Sequence, residues 1–166
     1  MSEKPVTLAT LEQQFREFLL ANELRQTRER FAILRAVYET KGTFTIEDLQ
    51  ERLKEVKFPV STGTLYNTAL LLVKANLLVR HPFSSSTTVF ERVYPNQPRA
   101  YQVCNNCHRI TIIKGQDFNN AIQSYKPRQF TVSHRISYVY GICPKCLREM
   151  RKKLKKLQAI HPTPET

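Results

Sequence analysis

The sequence predicts an α+β protein in which a winged helix-turn-helix domain is followed by an α/β domain that holds four cysteines. Four helical segments and then a β-hairpin fill residues 8–94, which is the element order of a winged helix-turn-helix module. Beyond them, two Cys-x-x-Cys pairs end short β-rich runs. We predict a DNA-binding domain over 1–94, a hinge at 95–98, a second domain over 99–160 and a disordered tail at 161–166.

Composition narrows the class of partner. The 166 residues include 26 Lys and Arg against 14 Asp and Glu, a net charge of +12, and 41% are hydrophobic. That balance is too apolar for a disordered chain, and the positive surplus favours a polyanionic partner, either nucleic acid or an anionic membrane. No uncharged apolar stretch approaches the roughly 20 residues of a membrane span, and no secretory signal is visible. We therefore expect a cytoplasmic protein.

The first three helices are predicted from apolar periodicity and capping residues. Residues 8–22 repeat leucine and phenylalanine at helical spacing. Thr27 is expected to cap the second helix, and Thr45 the third, where Asp48 stands at the capping-box position. Phe58-Pro59 then breaks the chain, because a residue that precedes proline is pushed out of the helical conformation.

The remaining elements follow from the same signals. Ser61 is predicted to open a fourth helix that runs through residue 78, and strands over 77–83 and 87–94 flank a serine turn at 84–86. The second domain shows β-rich runs at 101–104, 109–113 and 137–143. A helix is predicted over Gln116–Ser124 and a basic terminal helix over about 144–158.

The cysteines predict a metal centre. Cys104/Cys107 and Cys143/Cys146 form two pairs at the ends of predicted strands, and 35 residues separate the pairs. Two such pairs can close a tetrahedral zinc site, each pair supplying two thiolates. A dithiol redox pair is the alternative, since Cys143-Pro-Lys-Cys146 precedes a helix and carries Lys145 between its thiols. Cys143-Pro144 is also a dipeptide found in some haem-responsive regulators.

A DNA-reading surface is predicted on the helix that Ser61 opens, because recognition helices contact DNA mainly through their N-terminal residues. Its first turns carry hydroxyls and one amide and no acidic group, and arginines lie upstream and in the wing. The predicted contacts are Arg25, Thr27, Arg30, Ser61, Thr62, Thr64, Tyr66, Asn67 and Arg80, with His81 beside the last in the wing. The alternative is that Ser61 only caps the helix, that Tyr66 packs half-buried, and that the arginines are merely solvated.

The terminal helix and the histidines are less specific signals. Six cations between Arg148 and Lys156 give either extra attraction for nucleic acid or a solubilising face opposite a leucine and methionine stripe. The four histidines are scattered and match no catalytic or metal-binding motif. We therefore predict no enzymatic activity.

Several motifs follow one another in a familiar order over about residues 20–147. They are Leu24-Arg25-x-Thr27-x-x-Arg30-x-x-Ile33-Leu34, Ile46-Glu47-Asp48-Leu49, Ser61-x-x-Thr64-Leu65-Tyr66, Val89-Phe90-Glu91, Cys104-x-x-Cys107 and Tyr138-x-Tyr140-Gly141-x-Cys143-x-x-Cys146. In these motifs the chain resembles the ferric uptake regulator (Fur) family of bacterial metal- and redox-responsive repressors. The resemblance implies a homodimer with a C-terminal α/β dimerisation domain, one structural zinc per chain on the four cysteines, and operator DNA read by the Tyr66 helix.

The chain departs from the family at the regulatory metal site. Metal-sensing members carry a histidine-rich run before the first cysteine pair, and this chain has no histidine there. Two positions at which the family has metal ligands are occupied here by Thr43 and Ile112. Glu91 matches a further ligand position of the family, and His134 lies one residue away from another. We expect the regulatory site to be absent or remodelled, with Glu91, His134 and His108 as the candidate ligands. Asn67 stands where the family has an arginine, which puts the usual operator sequence in doubt.

The resulting hypothesis is a dimeric, zinc-stabilised transcriptional repressor with an atypical response to metal, redox state or haem. Two alternatives stay open at this point: a cytosolic thiol-disulfide redox protein that uses the Cys-x-x-Cys pairs, and a basic zinc module that binds RNA. The sequence names neither the effector nor the operator.

Overall fold

The computed structural model describes residues 7–82, 87–94 and 97–160, without the side chains of 159 and 160. The predicted serine turn, the first half of the hinge and the tail after residue 160 lie outside these ranges. The described residues divide into two compact units, one ending at Tyr94 and the other beginning at Gln97. Among the described helices, none has the length and apolar character needed to cross a membrane.

Four helices build the first unit: α1 (Leu8–Ala21), α2 (Arg28–Glu39), α3 (Ile46–Glu55) and α4 (Thr62–Lys74). Each begins after a Thr or Ser whose hydroxyl accepts a hydrogen bond from the backbone amide three residues on. The caps are Thr7, Thr27, Thr45 and Ser61. The Asp48 carboxylate completes the predicted capping box by accepting from the Thr45 amide at 2.8 Å.

The predicted end of α4 is wrong. The helix stops at Lys74 and not at residue 78, because Asn76 turns the chain with a φ of 57°. The Leu77 amide then donates to the Leu72 carbonyl at 2.9 Å, which closes the last turn. A run of leucines conceals this end from a pattern based on hydrophobicity alone, since the same residue type continues into the following strand.

Three short strands form the wing sheet: β1 (Thr43–Phe44), β2 (Leu78–His81) and β3 (Val89–Arg92), in the order β1-β3-β2. All pairs are antiparallel, with Val79 opposite Glu91 and Thr43 on the other side of Glu91. The two strands of the hairpin are shorter than predicted. β1 was not predicted, because a two-residue strand is too short to show alternation.

The core of the first unit is apolar and continuous. Phe44 of β1 packs against Phe90 of β3 with ring centroids 6.2 Å apart, and this pair joins the sheet to the helices. The fully or almost fully buried members include Phe15, Leu19, Ile33, Leu34, Val37, Leu49, Leu53, Leu65, Ala69, Leu72 and Leu78.

The second unit consists of β4 (Arg99–Cys104), β5 (Ile110–Ile112), α5 (Gln116–Ser124), β6 (Ile136–Gly141) and α6 (Pro144–Ile160). Its sheet has the order β5-β4-β6, with β4 and β6 parallel and Cys104 level with Gly141. The prediction for α5 is confirmed, and α6 extends two residues beyond its predicted end. Parallel neighbours bring the ends of β4 and β6 to the same edge, which places the two cysteine pairs together.

Candidate metal centre and nucleic-acid interface

The four cysteines converge at one edge of the β4–β6 pair. Their sulfur atoms all lie within 4.8 Å of one another, and the sulfurs of Cys107 and Cys143 are 3.7 Å apart. None of the four forms a disulfide. Cys104 and Cys146 are buried, whereas Cys107 is exposed. Among the described residues, this is the one group of three or more potential ligands that are close enough to share a metal ion.

Two tight turns hold the thiols in place. After β4, the His108 amide donates to the Cys104 carbonyl at 2.9 Å, and His108 adopts a φ of 56° to close the turn. The Asn105 amide donates to the Gly141 carbonyl at 2.8 Å, which links this turn to the end of β6. At the second pair, Pro144 starts α6, where its missing amide is not needed. Both turns therefore follow from the Cys-x-x-Cys spacing.

Backbone amides lower the pKa of two of the four thiols, Cys104 and Cys143. The Cys143 amide donates to the Cys104 sulfur at 3.3 Å, and together with the Cys107 amide it lowers the pKa of Cys104 to about 6. A hydrogen bond from the Cys146 amide lowers the pKa of Cys143 in the same way. Amide donors favour the charged form of a sulfur, so these two thiols are biased toward thiolate.

Crowding acts in the opposite direction on Cys146. The Asn106 side chain lowers the pKa of this thiol, but burial and the three neighbouring sulfurs outweigh it and raise the pKa to about 12. Four sulfurs this close cannot all ionise without a compensating cation. A divalent ion supplies that charge, and it prefers deprotonated sulfur ligands. Asn106 was not identified from the sequence as a residue that acts on the thiols, although it lies between Cys104 and Cys107.

The geometry fits tetrahedral zinc. Zn–S bonds of about 2.3 Å set the sulfurs of a tetrahedral site about 3.8 Å apart, close to the 3.7 Å between Cys107 and Cys143. All four positions of such a site would be filled by protein sulfur, which is the arrangement of structural rather than catalytic zinc. The residues present therefore suit a zinc ion whose role is to hold β4, β6 and α6 together.

The second candidate site is the N-terminal half of α4. One face of the helix is buried through Leu65, Ala69 and Leu72, and the opposite face leaves Thr62, Tyr66 and Asn67 exposed. Among the described residues of the first unit, Tyr66 is one of three large hydrophobic side chains that are exposed. The first two turns of α4 carry no charged residue. This exposed polar strip is the surface that the sequence predicts for reading DNA.

Two of the predicted α4 contacts are engaged within the helix cap. The Ser61 hydroxyl accepts from the Thr64 amide at 3.2 Å and lies 2.9 Å from the Thr64 hydroxyl. Gln50 donates to the Thr62 hydroxyl at 3.3 Å. The Ser61 hydroxyl therefore serves first to start the helix, and the Thr62 hydroxyl is already bonded to α3.

The arginines that precede α4 in the sequence differ in whether they are exposed or already bonded within the chain. Arg25 and Arg28 are exposed, whereas the Arg30 guanidinium donates to the Arg25 carbonyl, and Thr27 is engaged as the α2 cap. Arg35 is paired with Glu12 at 2.6 Å. The predicted basic surface is therefore narrower than the count of arginines indicates.

The wing corrects the interpretation of His81. Arg80 is exposed as expected, but His81 is buried, with its Nε2 3.3 Å from the Glu91 carboxylate, and the two side chains are 0% and 1% exposed. Its expected position along the DNA backbone is thus wrong. The signal was available in the alternation along β2, because His81 shares the face of Val79, which pairs with Glu91.

The candidate regulatory ligands lie in different parts of the chain. Glu91 belongs to β3 of the first unit, while His108 is exposed after the first cysteine pair and His134 is half-buried before β6. Burial lowers the pKa of His134, so its imidazole is biased toward the neutral form that binds metal. His134 also lines an open hollow together with Ile122, Tyr125, Arg128, Phe130 and Arg135. The regulatory role of these residues stays a prediction.

A winged helix followed by a four-cysteine α/β unit defines a class of metal-associated DNA-binding regulators. The sequence model of the ferric uptake regulator family matches residues 21–139. The chain belongs to this family of transcriptional regulators.

Similar proteins agree with that assignment. The chain is 25% identical over 149 residues to the ferric uptake regulation protein of Campylobacter jejuni, covering 84% of this chain and 90% of that protein. It is 27% identical over 135 residues to the peroxide operon regulator of Bacillus subtilis, covering 80% and 91%.

Solved structures share the fold. The ferric uptake regulator of Pseudomonas aeruginosa with manganese superposes with a TM-score of 0.60 at 21% identity, covering 78% of this chain and 97% of that one. The Helicobacter pylori ferric uptake regulator, whose structure reveals three functional metal-binding sites, gives 0.62 at 17% identity, covering 88% and 97%.

Proposed function

We propose that this chain is a homodimeric, zinc-stabilised transcriptional repressor that binds operator DNA through the exposed strip of α4. The single observation that carries the proposal is the α4 surface: Thr62, Tyr66 and Asn67 are exposed on a helix whose other face is locked into an apolar core. A helix held this way presents fixed side chains to the major groove. Asn67 suits adenine, and Tyr66 suits a phosphate or a thymine methyl.

Dimerisation is supported by the surface of the second unit. Its exposed large hydrophobic side chains include Phe118, Tyr125, Phe130, Val139 and Tyr140. Apolar exposure on this scale is typical of a surface that another chain covers. Two copies would also supply two recognition helices for two half-sites about one helical turn apart.

We assign zinc to Cys104, Cys107, Cys143 and Cys146. The four thiolates would take up the ion with loss of protons, and the ion would supply the charge that lets the crowded Cys146 ionise. Elemental analysis and native mass spectrometry of protein purified without added metal should give one zinc per chain that resists chelators. A protein that folds and dimerises without metal would contradict this assignment.

The effector response depends on whether the chain can hold a second metal ion. Glu91 is buried next to His81, and Thr43 stands beside it in the sheet, so this part of the wing offers a carboxylate and one imidazole. A regulatory Fe²⁺ or Mn²⁺ prefers several more nitrogen and oxygen ligands. Offering Fe²⁺, Mn²⁺ and Zn²⁺ to the zinc-loaded dimer distinguishes the cases: uptake of a second, exchangeable ion would mean that a sensing site exists, and its absence would point to redox or haem.

The test of DNA reading is Tyr66→Ala. We expect specific binding to a duplex selected from a random pool to weaken by roughly 1–3 kcal/mol, while binding to an unrelated duplex changes little. Leu20→Ala, an exposed apolar residue on α1, serves as the control. Equal affinity of the variant and the parent protein for the selected duplex would contradict the role of α4.

The zinc-loaded protein also distinguishes the proposed function from the two alternatives, an RNA-binding module and a thiol-disulfide enzyme. An RNA-binding module would prefer RNA to duplex DNA in direct competition. A thiol-disulfide enzyme would reduce a disulfide substrate in its zinc-loaded form, whereas a structural site should be silent to thiol reagents until zinc is removed.

A further inference from the structure

The positive charge of this protein is unevenly distributed. Residues 1–94 contain 13 Lys and Arg and 11 Asp and Glu, a net charge of +2, whereas residues 95–166 contain 13 and 3, a net charge of +10. The unit that carries the proposed recognition helix is therefore almost neutral. Most of the net positive charge that can attract a polyanion lies in the other unit.

Helix α6 holds the largest share of that surplus. Between Pro144 and Ile160 it has seven Lys and Arg and one acidic residue, Glu149, for a net charge of +6. Every side chain from Leu147 to Gln158 is exposed. Within the described residues, its six cations beyond Lys145 have no salt-bridge partner. The cations are therefore available to an external anion.

The cations also share one side of the helix, with Glu149 between Lys156 and Lys153 at its edge. At 100° per residue, they spread over an arc of about 200° around the helix axis, and the four apolar side chains fall within about 80°. The cations are Arg148, Arg151, Lys152, Lys153, Lys155 and Lys156, and the apolar residues are Leu147, Met150, Leu154 and Leu157.

We propose that α6 is a second nucleic-acid-binding element, whose lysines and arginines contact DNA phosphates without reading sequence. The inference rests on the proposed DNA-binding function and divides it between two helices. The uncharged first turns of α4 would select bases, and α6 would supply the phosphate neutralisation that dominates affinity.

A nucleic acid fits α6 better than a membrane. Helices that lie on bilayers insert a broad apolar face, often with Trp or Phe, whereas the apolar stripe of α6 is narrow and contains only leucine and methionine. A stripe of this width with 3-4-3 spacing is typical of helix–helix contact, which would leave the cationic arc facing outward.

The test neutralises four lysines of the full-length, zinc-loaded protein: Lys152, Lys153, Lys155 and Lys156 to Gln. Affinity for both the selected and the unrelated duplex is measured over a range of salt concentrations. We expect both affinities to fall by at least about tenfold at low salt, and the slope of log K against log salt to become shallower by up to about 3.6, since each contact contributes about 0.9. The ratio of the two affinities should stay constant.

Two matched variants complete the design. Changing the same four lysines to Arg keeps the charge and should restore the parent slope. Changing Arg109, Lys114, Lys126 and Arg128 to Gln removes four exposed cations of the same unit outside α6, and it should have a much smaller effect. Zinc content and circular dichroism verify that each variant is folded.

The outcomes separate this inference from the proposed function. An equal loss in the α6 variant and in the Arg109 variant would overturn it, because net charge alone would then explain the effect. Binding of the parent protein to phosphatidylglycerol vesicles that is lost in the α6 variant, with DNA affinity unchanged, would overturn it in favour of a lipid surface. If no selected duplex emerges but the salt slopes behave as expected, the base-reading role of α4 fails while that of α6 stands.

Discussion

The two units of this molecule are stabilised in different ways. Among the described residues, the first unit buries side chains from four helices and the wing sheet in one apolar cluster and exposes three large hydrophobic side chains. In the described part of the second unit, the buried residues are Ala100, Tyr101, Val103 and two of the four cysteines, and eleven large hydrophobic side chains are exposed. Helix α5 has no buried residue at all.

This difference predicts that the first unit depends less on a metal or a partner chain than the second. A continuous apolar core gives the first unit a source of stability that needs no partner. The second unit is small and buries few side chains within one chain, and such domains usually gain stability from a metal or from association. Its cysteine cluster and its exposed apolar surface correspond to these two requirements.

The largest expected effect comes from removing the metal site. Cys107→Ser should weaken zinc binding strongly and make the ion removable by chelators, since three thiolates leave one position of a closed tetrahedral site open. We expect the second unit to unfold and the dimer to dissociate, while the first unit keeps its helices. Elemental analysis, sedimentation and thermal unfolding followed by circular dichroism measure the three consequences.

Asn105→Ser is the control for this change, because Asn105 is exposed in the same turn and contributes its backbone amide. It should leave zinc content and dimer unchanged. A stable, zinc-free dimer of Cys107→Ser would contradict the claim that the second unit needs its metal, because apolar association alone would then be enough to keep it folded.

The next largest effect concerns His81 and Glu91, two polar side chains buried together in the first unit. His81→Leu leaves the Glu91 carboxylate buried without its imidazole neighbour, and we expect a loss of about 3–5 kcal/mol in the free energy of unfolding of this unit. Urea denaturation measures it. Arg80→Leu, the exposed neighbour on β2, should change stability by less than about 0.5 kcal/mol.

The double variant His81→Leu with Glu91→Leu sharpens this result. Replacing both members of a buried pair by apolar residues is often neutral, so the second substitution should restore much of the stability. A double variant as unstable as the single one would show that the sheet needs Glu91 for a reason other than His81.

A smaller loss is expected from the apolar core itself. Leu49→Ala removes a fully buried side chain of α3 and should cost about 2–5 kcal/mol, depending on how far the cavity collapses. Phe118→Ala on α5 is the counterpart in the second unit, where the ring is 39% exposed within one chain. If Phe118→Ala costs as much as Leu49→Ala in the dimer but not at dissociating concentrations, the second copy covers α5.

Local signals made most of the first unit predictable. Thr27, Thr45 and Ser61 each start a helix because their hydroxyls satisfy amides that no helical carbonyl can reach. The cysteine pairs were equally predictive, since their spacing at two strand ends admits a shared metal site. These features depend on a few neighbouring residues, and a single sequence contains all of them.

What the sequence failed to predict depends on contacts between distant residues. β1 exists because Thr43 and Phe44 pair with β3, almost fifty residues away. The burial of His81 depends on Glu91 in the same way. The exposure of the α6 stripe is a further case, because periodicity marks an apolar face without saying whether the same chain covers it.

The smallest expected effect compares helix starts between the units. α5 begins after Gly115, which offers no side-chain cap, whereas all four helices of the first unit have one. Gly115 already has the extended backbone of a cap residue, and a Cβ there would meet no atom within 4 Å in the same chain. Gly115→Ser should therefore stabilise the second unit by about 0.5 kcal/mol, measured by thermal unfolding of the zinc-loaded protein. A loss of stability that grows with protein concentration would instead place this helix start against the second copy, and the weakness of α5 would then be a property of the isolated chain.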